Sequence, residues 1–203
     1  MALVKYNNRS ILNVTALDSI ASGDMNLITT NTITSGVSSS SFTSNIDSTY
    51  DTYIFKFINI HPATDGAIFQ FNLSTDSGSN YNVTKTTTYF RATHDEADSA
   101  TQFVYETSYD LAQSTSYQRI GNEVGNGNDE SVSGELKLFS PSSTTFVKHF
   151  VATSNVYFFT NRSINEYVAG YGNTTSAIDA IDFKFSSGNI DSGVIKMYGL
   201  SKS

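Results

Sequence analysis

Tyr53-Ile54-Phe55-Lys56-Phe57-Ile58-Asn59-Ile60, His61-Pro62-Ala63-Thr64-Asp65-Gly66 and Ala67-Ile68-Phe69-Gln70-Phe71-Asn72-Leu73 read as strand, turn and strand. In the last segment Ala67, Phe69, Phe71 and Leu73 share one face, while Ile68, Gln70 and Asn72 share the other. That period of two marks a half-buried strand. The first segment is nearly continuous in apolar residues, which predicts a central strand covered on both sides. Pro62 lacks an N–H and Gly66 accepts positive φ, so the ladder ends between them.

Working outward, the same punctuation recurs. Val132–Phe139, Thr145–Thr153, Ile178–Phe185 and Val194–Leu200 are aromatic and β-branched runs, separated by clusters of Gly, Asn, Asp and Ser. Further strands are expected at Asn26–Ile33, Phe42–Ile46, Tyr81–Ala92, Val156–Thr160 and Tyr167–Tyr171. This spacing predicts an all-β, antiparallel β-sandwich that is jelly-roll-like. Residues 26–203 form that domain, and residues 1–25 are expected to be an extended N-terminal attachment arm. Ser35–Ser41 is a loop within the domain, because the segment before it is too short to fold alone. In Tyr81–Ala92, Val83, Lys85, Thr87, Tyr89 and Arg91 share a face. His94–Asp98 is expected to start a single helical turn. Between Tyr105 and Glu130 the alternation fades, which predicts a long excursion facing outward or toward a partner.

Composition bounds the function. The chain has 203 residues, enough for one sandwich with a sizeable core. Its 14 Phe and 12 Tyr supply that core with few, large residues. A net charge of −7 with only 12 scattered basic residues argues against nucleic-acid binding. No Cys is present, which excludes disulfides, Cys-ligated zinc and thiol catalysis. Met1–Asn8 shows no apolar signal region, so synthesis in a cytosol is expected, with no membrane association. The Asn-x-Ser/Thr sequons are read as unmodified.

No reactive constellation accompanies the strands. His61, His94 and His149 lie far apart in sequence, without metal spacing; His149 reads as a cross-strand surface residue. Asp95, Glu96 and Asp98, and again Asp129 and Glu130, could act as paired carboxylates on a glycoside only if held about 5–9.5 Å apart. Calcium at loop oxygens is conceivable, but the D-x-[DN]-x-[DN]-G pattern is missing. Gly125-Asn126-Gly127-Asn128 lacks the Lys-Ser/Thr of a phosphate loop. No catalytic residue, metal ligand or cofactor site is assigned. Tyr105, Tyr109 and Tyr117, with Asn126 and Asn128, are the candidate contacts for a partner or a glycan, because Tyr rings are rigid and amphipathic.

Several segments carry a resemblance. They are Asp47–Tyr53, Phe57–Asp65, Asn126–Glu130, Ser140–His149, Val168-Ala169-Gly170-Tyr171 and Ser187–Leu200. The chain resembles, over roughly residues 42–200, small virion structural proteins of marine tailed bacteriophages. The resemblance implies a jelly-roll-like sandwich made in the host cytoplasm and carried on the virion. There it would serve as a capsid decoration, fibre or tail-associated component, bound to other virion proteins and to itself. A homo-oligomer is expected, a trimer first. Such a protein is not an enzyme. The alternative is a carbohydrate-binding, receptor-recognition module of a tail fibre that contacts a host surface glycan.

Overall fold

The computed structural model describes residues 25–200. The expected arm, residues 1–25, lies outside the described residues except for Met25, which opens the first strand. Twelve strands follow, and the described residues contain no helix. They are β1 (Met25–Ile33), β2 (Ser40–Phe42), β3 (Thr52–Pro62), β4 (Ala67–Ser74), β5 (Lys85–Asp95) and β6 (Thr101–Tyr105). The others are β7 (Gln118–Val124), β8 (Val132–Phe139), β9 (Lys148–Phe158), β10 (Arg162–Gly172), β11 (Ala180–Phe185) and β12 (Ile190–Leu200).

All strand pairings are antiparallel. One broad layer runs β1-β12-β3-β8-β9-β10-β5-β6, and a narrower layer runs β7-β4-β11-β2. The layers join where β9 bends across at its C-terminal end, pairing Phe158 with Val124 of β7. The result is a jelly-roll-like sandwich nearly closed into a barrel, the fold class the alternation predicts.

Period two decides what lies between the layers. Tyr53, Phe55 and Phe57 of β3 point inward from the broad layer and are fully buried. Phe69 and Phe71 of β4 and Phe183 of β11 meet them from the narrow layer. Phe183 is the hub, with ring centroids 5.6 Å from Phe55 and 6.0 Å from Phe69. Phe42, Phe57 and Phe71 lie within 6.4 Å of it. Tilted and edge-on rings suit the aromatic quadrupole, so these contacts add to simple area burial.

Local irregularities keep the facing correct. In β3, Phe57 and Ile60 are both buried although three residues apart. A bulge lies between them, with Asn59 at φ +49°, and its extra residue restores the inward direction. Gly134 of β8 pairs with Phe57 and points inward. A Cβ there would sit 2.2 Å from the Thr153 carbonyl oxygen and 2.8 Å from the Phe57 ring. Overpacking of this kind costs about 1–3 kcal/mol. Gly134→Ala is therefore expected to lower the thermal midpoint by roughly 3–10 °C, read by circular dichroism; an unchanged midpoint would refute this packing.

Several expectations need correction. β3 is central within its layer but only partly covered on its outer side: of the outward residues Ile54 is buried, Lys56 half-buried and Ile58 exposed. Thr145–Thr153 and Val156–Thr160 are not separate strands, because β9 runs unbroken through Ser154 and Asn155. Ser154 faces inward and donates to the Ile120 carbonyl at 2.6 Å, so a polar residue occupies a core position without ending the strand. Tyr81–Ala92 begins as a strand only at Lys85. His94–Asp98 forms a β-hairpin turn instead of a helical one, closed by the Asp95 carboxylate accepting from the Ser99 and Ala100 amides. The excursion at Tyr105–Glu130 is also overturned. It contains β7, which sits inside the narrow layer, and its 106–117 connection runs along β5 through Thr87 N to Leu111 O (2.9 Å) and the Lys85–Ser114 bridge.

Candidate interaction surface

The outer face of the broad layer is built in rungs, because antiparallel register aligns outward residues across neighbouring strands. One rung reads His149, Tyr171 and Thr86 across β9, β10 and β5. The next reads Val151, Ala169 and Thr88. The third reads Thr153, Tyr167, Phe90 and Tyr105, reaching β6. The fourth reads Asn155, Asn165, Ala92 and Phe103. Phe90 stacks on Tyr167 at 4.9 Å and meets Phe103 edge-on at 5.7 Å. Phe103 is 73% exposed and Tyr105 47%, so apolar ring surface faces solvent at this end of the layer. Isolated exposed rings are ordinary, whereas a contiguous group marks an interaction site.

Over the first two rungs lies a trough of about 330 Å³. Its lining includes Thr86, Thr88, His149, Val151, Ala169 and Tyr171. The small Ala169 leaves the depression. Gly170 beside it points inward, where a Cβ would meet the Thr86 carbonyl at 2.5 Å and the Phe150 ring at 3.0 Å. His149 and Tyr171 form one rim, ring centroids 6.1 Å apart. His149 thus lies on the surface, across from a neighbouring strand.

The inward face of β5 and β10 sets buried polar groups among the core residues Tyr89, Ile164 and Val168. Glu166 of β10 is fully buried, and its Oε1 accepts the Asn122 amide of β7 at 2.9 Å. The Tyr89 hydroxyl lies against Glu166, and neither it nor Glu166 Oε2 has another hydrogen-bond partner. Burial pushes the Glu166 carboxyl up to about 7, opposed by the Tyr89 hydroxyl, the Asn122 amide, Arg91 and Arg119. Arg91 instead grips Glu106 at 2.7 Å. Lys85 is also fully buried, donating to Asn72 Oδ1 and to the Val83 carbonyl, and burial pushes its ammonium down to about 7. Thr87 donates to Gln118 at 2.7 Å, and Gln118 donates onward to the Tyr109 and Arg119 carbonyls. These groups are enclosed and tie the 106–117 connection to β5. Their arrangement is that of a structural network.

The residues singled out by sequence are not brought together. Tyr105 alone joins the open face, its hydroxyl donating to Asp110 at 2.6 Å. Tyr109 is turned into the body, edge-on to Tyr89 at 5.3 Å and covered by the Arg119 guanidinium at 4.2 Å. Tyr117 lies on the opposite layer, donating to Asp182 at 3.0 Å with the Lys184 ammonium 4.1 Å from its ring centre. Burial, with the Asp182 charge, raises its phenol well above the ordinary tyrosine value. Asn126 and Asn128 sit in the β7–β8 turn, separated from the 106–117 connection by the length of β7. Asn126 donates its amide to Asp65 at 3.2 Å, and Asn128 borders a recess with Asn59, His61 and Glu130. Sequence reading missed Phe90, Phe103, Tyr167, Ala169 and Tyr171. Parity could have found three of them, since Tyr167, Ala169 and Tyr171 must share a face if Val168 points inward; Phe90 and Phe103 join them only through cross-strand register.

The acidic clusters serve turns. Glu96 accepts from the Tyr157 hydroxyl at 2.9 Å, Asp98 pairs with His94 at 3.0 Å, and Glu130 accepts the Gly127 amide at 2.6 Å. The Ser99 hydroxyl and nearby amides hold the Asp95 carboxyl down at about 2. Among the described residues, no group of three or more His, Asp or Glu is placed to hold a metal ion. Comparison of the chain with protein-family models, curated proteins and solved structures finds no match.

Proposed function

We propose that this chain is a non-enzymatic structural protein of a tailed-bacteriophage virion. It sits on the particle as a capsid decoration, fibre or tail-associated component, assembled from identical copies, a trimer first. The observation that carries this reading is β6. Its residues, Thr101-Gln102-Phe103-Val104-Tyr105, include no charge and no proline, and among the described residues it pairs with β5 alone. Soluble monomers blunt such edges with lysine, proline or a bulge. An edge left unguarded beside exposed Phe103 and Tyr105 suits a strand that another chain completes. A cyclic trimer joins unlike patches, so β6 meets a different segment on the neighbouring copy. The stretch before β1 supplies attachment to other virion proteins.

The test is location. Immunogold labelling of purified particles, with mass spectrometry of the same fraction, should place the chain on virions in many copies. Its recovery only in the particle-free lysate would reject the reading.

A further inference from the structure

We propose that the trough over Ala169 binds uncharged pyranose units of a surface polysaccharide. Tyr167 and Tyr171 are four residues apart on β10, which separates their rungs by about 13 Å. His149 and Tyr171 wall the trough at one side, and Tyr167, stacked on Phe90, stands on the rung beyond its floor. The floor between them is Ala169 flanked by Thr88 and Val151. A sugar ring lying there meets the aromatic surface of Tyr171 and His149 at one end and threonine hydroxyl groups along its edge. Ligand sites combine apolar lining with a few polar groups that fix orientation in this way.

Charge selects the ligand class. The trough carries no carboxylate, guanidinium or ammonium group. The nearest charged pair in register is Lys137, beside Val151, and it is neutralised by Glu135 at 2.9 Å. The chain as a whole is acidic, at −7. An uncharged trough on an acidic protein matches a neutral pyranose polymer and repels uronic or sialic acids. The same property disfavours a nucleic acid or an anionic lipid surface. Val168-Ala169-Gly170-Tyr171 thereby gains a physical role: Val168 and Gly170 serve the interior, and Ala169 and Tyr171 serve the surface.

The inference does not depend on where a particle carries the chain. A sugar-binding chain absent from virions would keep it, and a virion component blind to sugars would not. The experiment is titration of the full chain with maltohexaose, cellohexaose, mannohexaose and xylohexaose, with polygalacturonate as the anionic comparison. Binding is followed by calorimetry and by methyl NMR of Ala169. At least one neutral oligosaccharide should bind with a dissociation constant below about 10 mM and shift the Ala169 methyl. Ala169→Phe fills the trough from the outer face, and Tyr171→Ala removes a wall. Each should weaken binding by about tenfold or more. Tyr117→Ala, on the other layer, should leave it unchanged. Wild-type protein silent to the whole neutral panel overturns the proposal, as does binding of polygalacturonate alone. So does binding that leaves the Ala169 methyl unmoved. Self-association lost in Ala169→Phe, without sugar binding, would give the trough to a second copy instead.

Discussion

Replacing Phe183 with alanine is expected to cost about 3–5 kcal/mol of folding free energy. The ring is fully buried and is packed by Phe55 and Phe57 from one layer and by Phe69 and Phe71 from its own. Truncation removes the transfer free energy of the ring and leaves a cavity that two sheets cannot close without shifting register. At roughly 2–4 °C per kcal/mol for a chain of this size, the thermal midpoint should fall by about 6–20 °C. Phe183→Leu, which refills part of the space, should recover a good share of that loss. Urea melts of the two variants would check it. A Phe183→Ala midpoint within experimental scatter of the wild type would mean that the aromatic hub does not hold the layers together.

Glu166→Gln should stabilise the protein above neutral pH. The carboxyl rises from its ordinary 4.5 to about 7 when folded, so the folded state binds its proton more tightly than the unfolded state does. Its contribution is fully present below about pH 4.5 and is lost as pH rises through 7. A shift of that size corresponds to about 3 kcal/mol. Glutamine keeps an acceptor for the Asn122 amide and has no proton to lose. The variant should therefore match the wild type near pH 4 and exceed it by up to about 3 kcal/mol at pH 8. A variant less stable than wild type at pH 8 would show that attraction from Arg91 and Arg119 outweighs the burial of the charge.

The apolar half of the sandwich was legible because its inward positions are apolar. Phe69, Phe71 and Leu73 alternate against Ile68 and Gln70, and the buried set follows that parity. The polar half was not, because hydrophobicity is a poor proxy for facing when the interior itself is hydrogen-bonded. Lys85, Gln118, Asn122, Ser154 and Glu166 all point inward, and each reads in a sequence as a surface or turn residue. Such inward polar residues hide β7 in the sequence, and Ser154 with Asn155 hides the continuity of β9. Asn72 shows the same limit: its parity faces it away from the core, yet it is fully buried, holding the Tyr81 and Thr115 carbonyls. The tyrosines chosen for contact were chosen by type and loop position. Tyr109 and Tyr117 pack against arginine, lysine and aspartate instead. The open face needed cross-strand register, which brings Phe90, Phe103 and Tyr167 together from three strands separated by up to 77 residues of sequence and is not readable from any one of them.

One measurement bears most directly on assembly. Native mass spectrometry of the full chain at micromolar concentration should show a single closed oligomer of the 22.1 kDa protomer, a trimer first. Adding charge to the open edge through Gln102→Lys with Phe103→Lys should return it to the protomer without lowering its thermal midpoint. A wild-type chain that stays at protomer mass at every concentration would contradict an outward-facing sheet edge built for another copy.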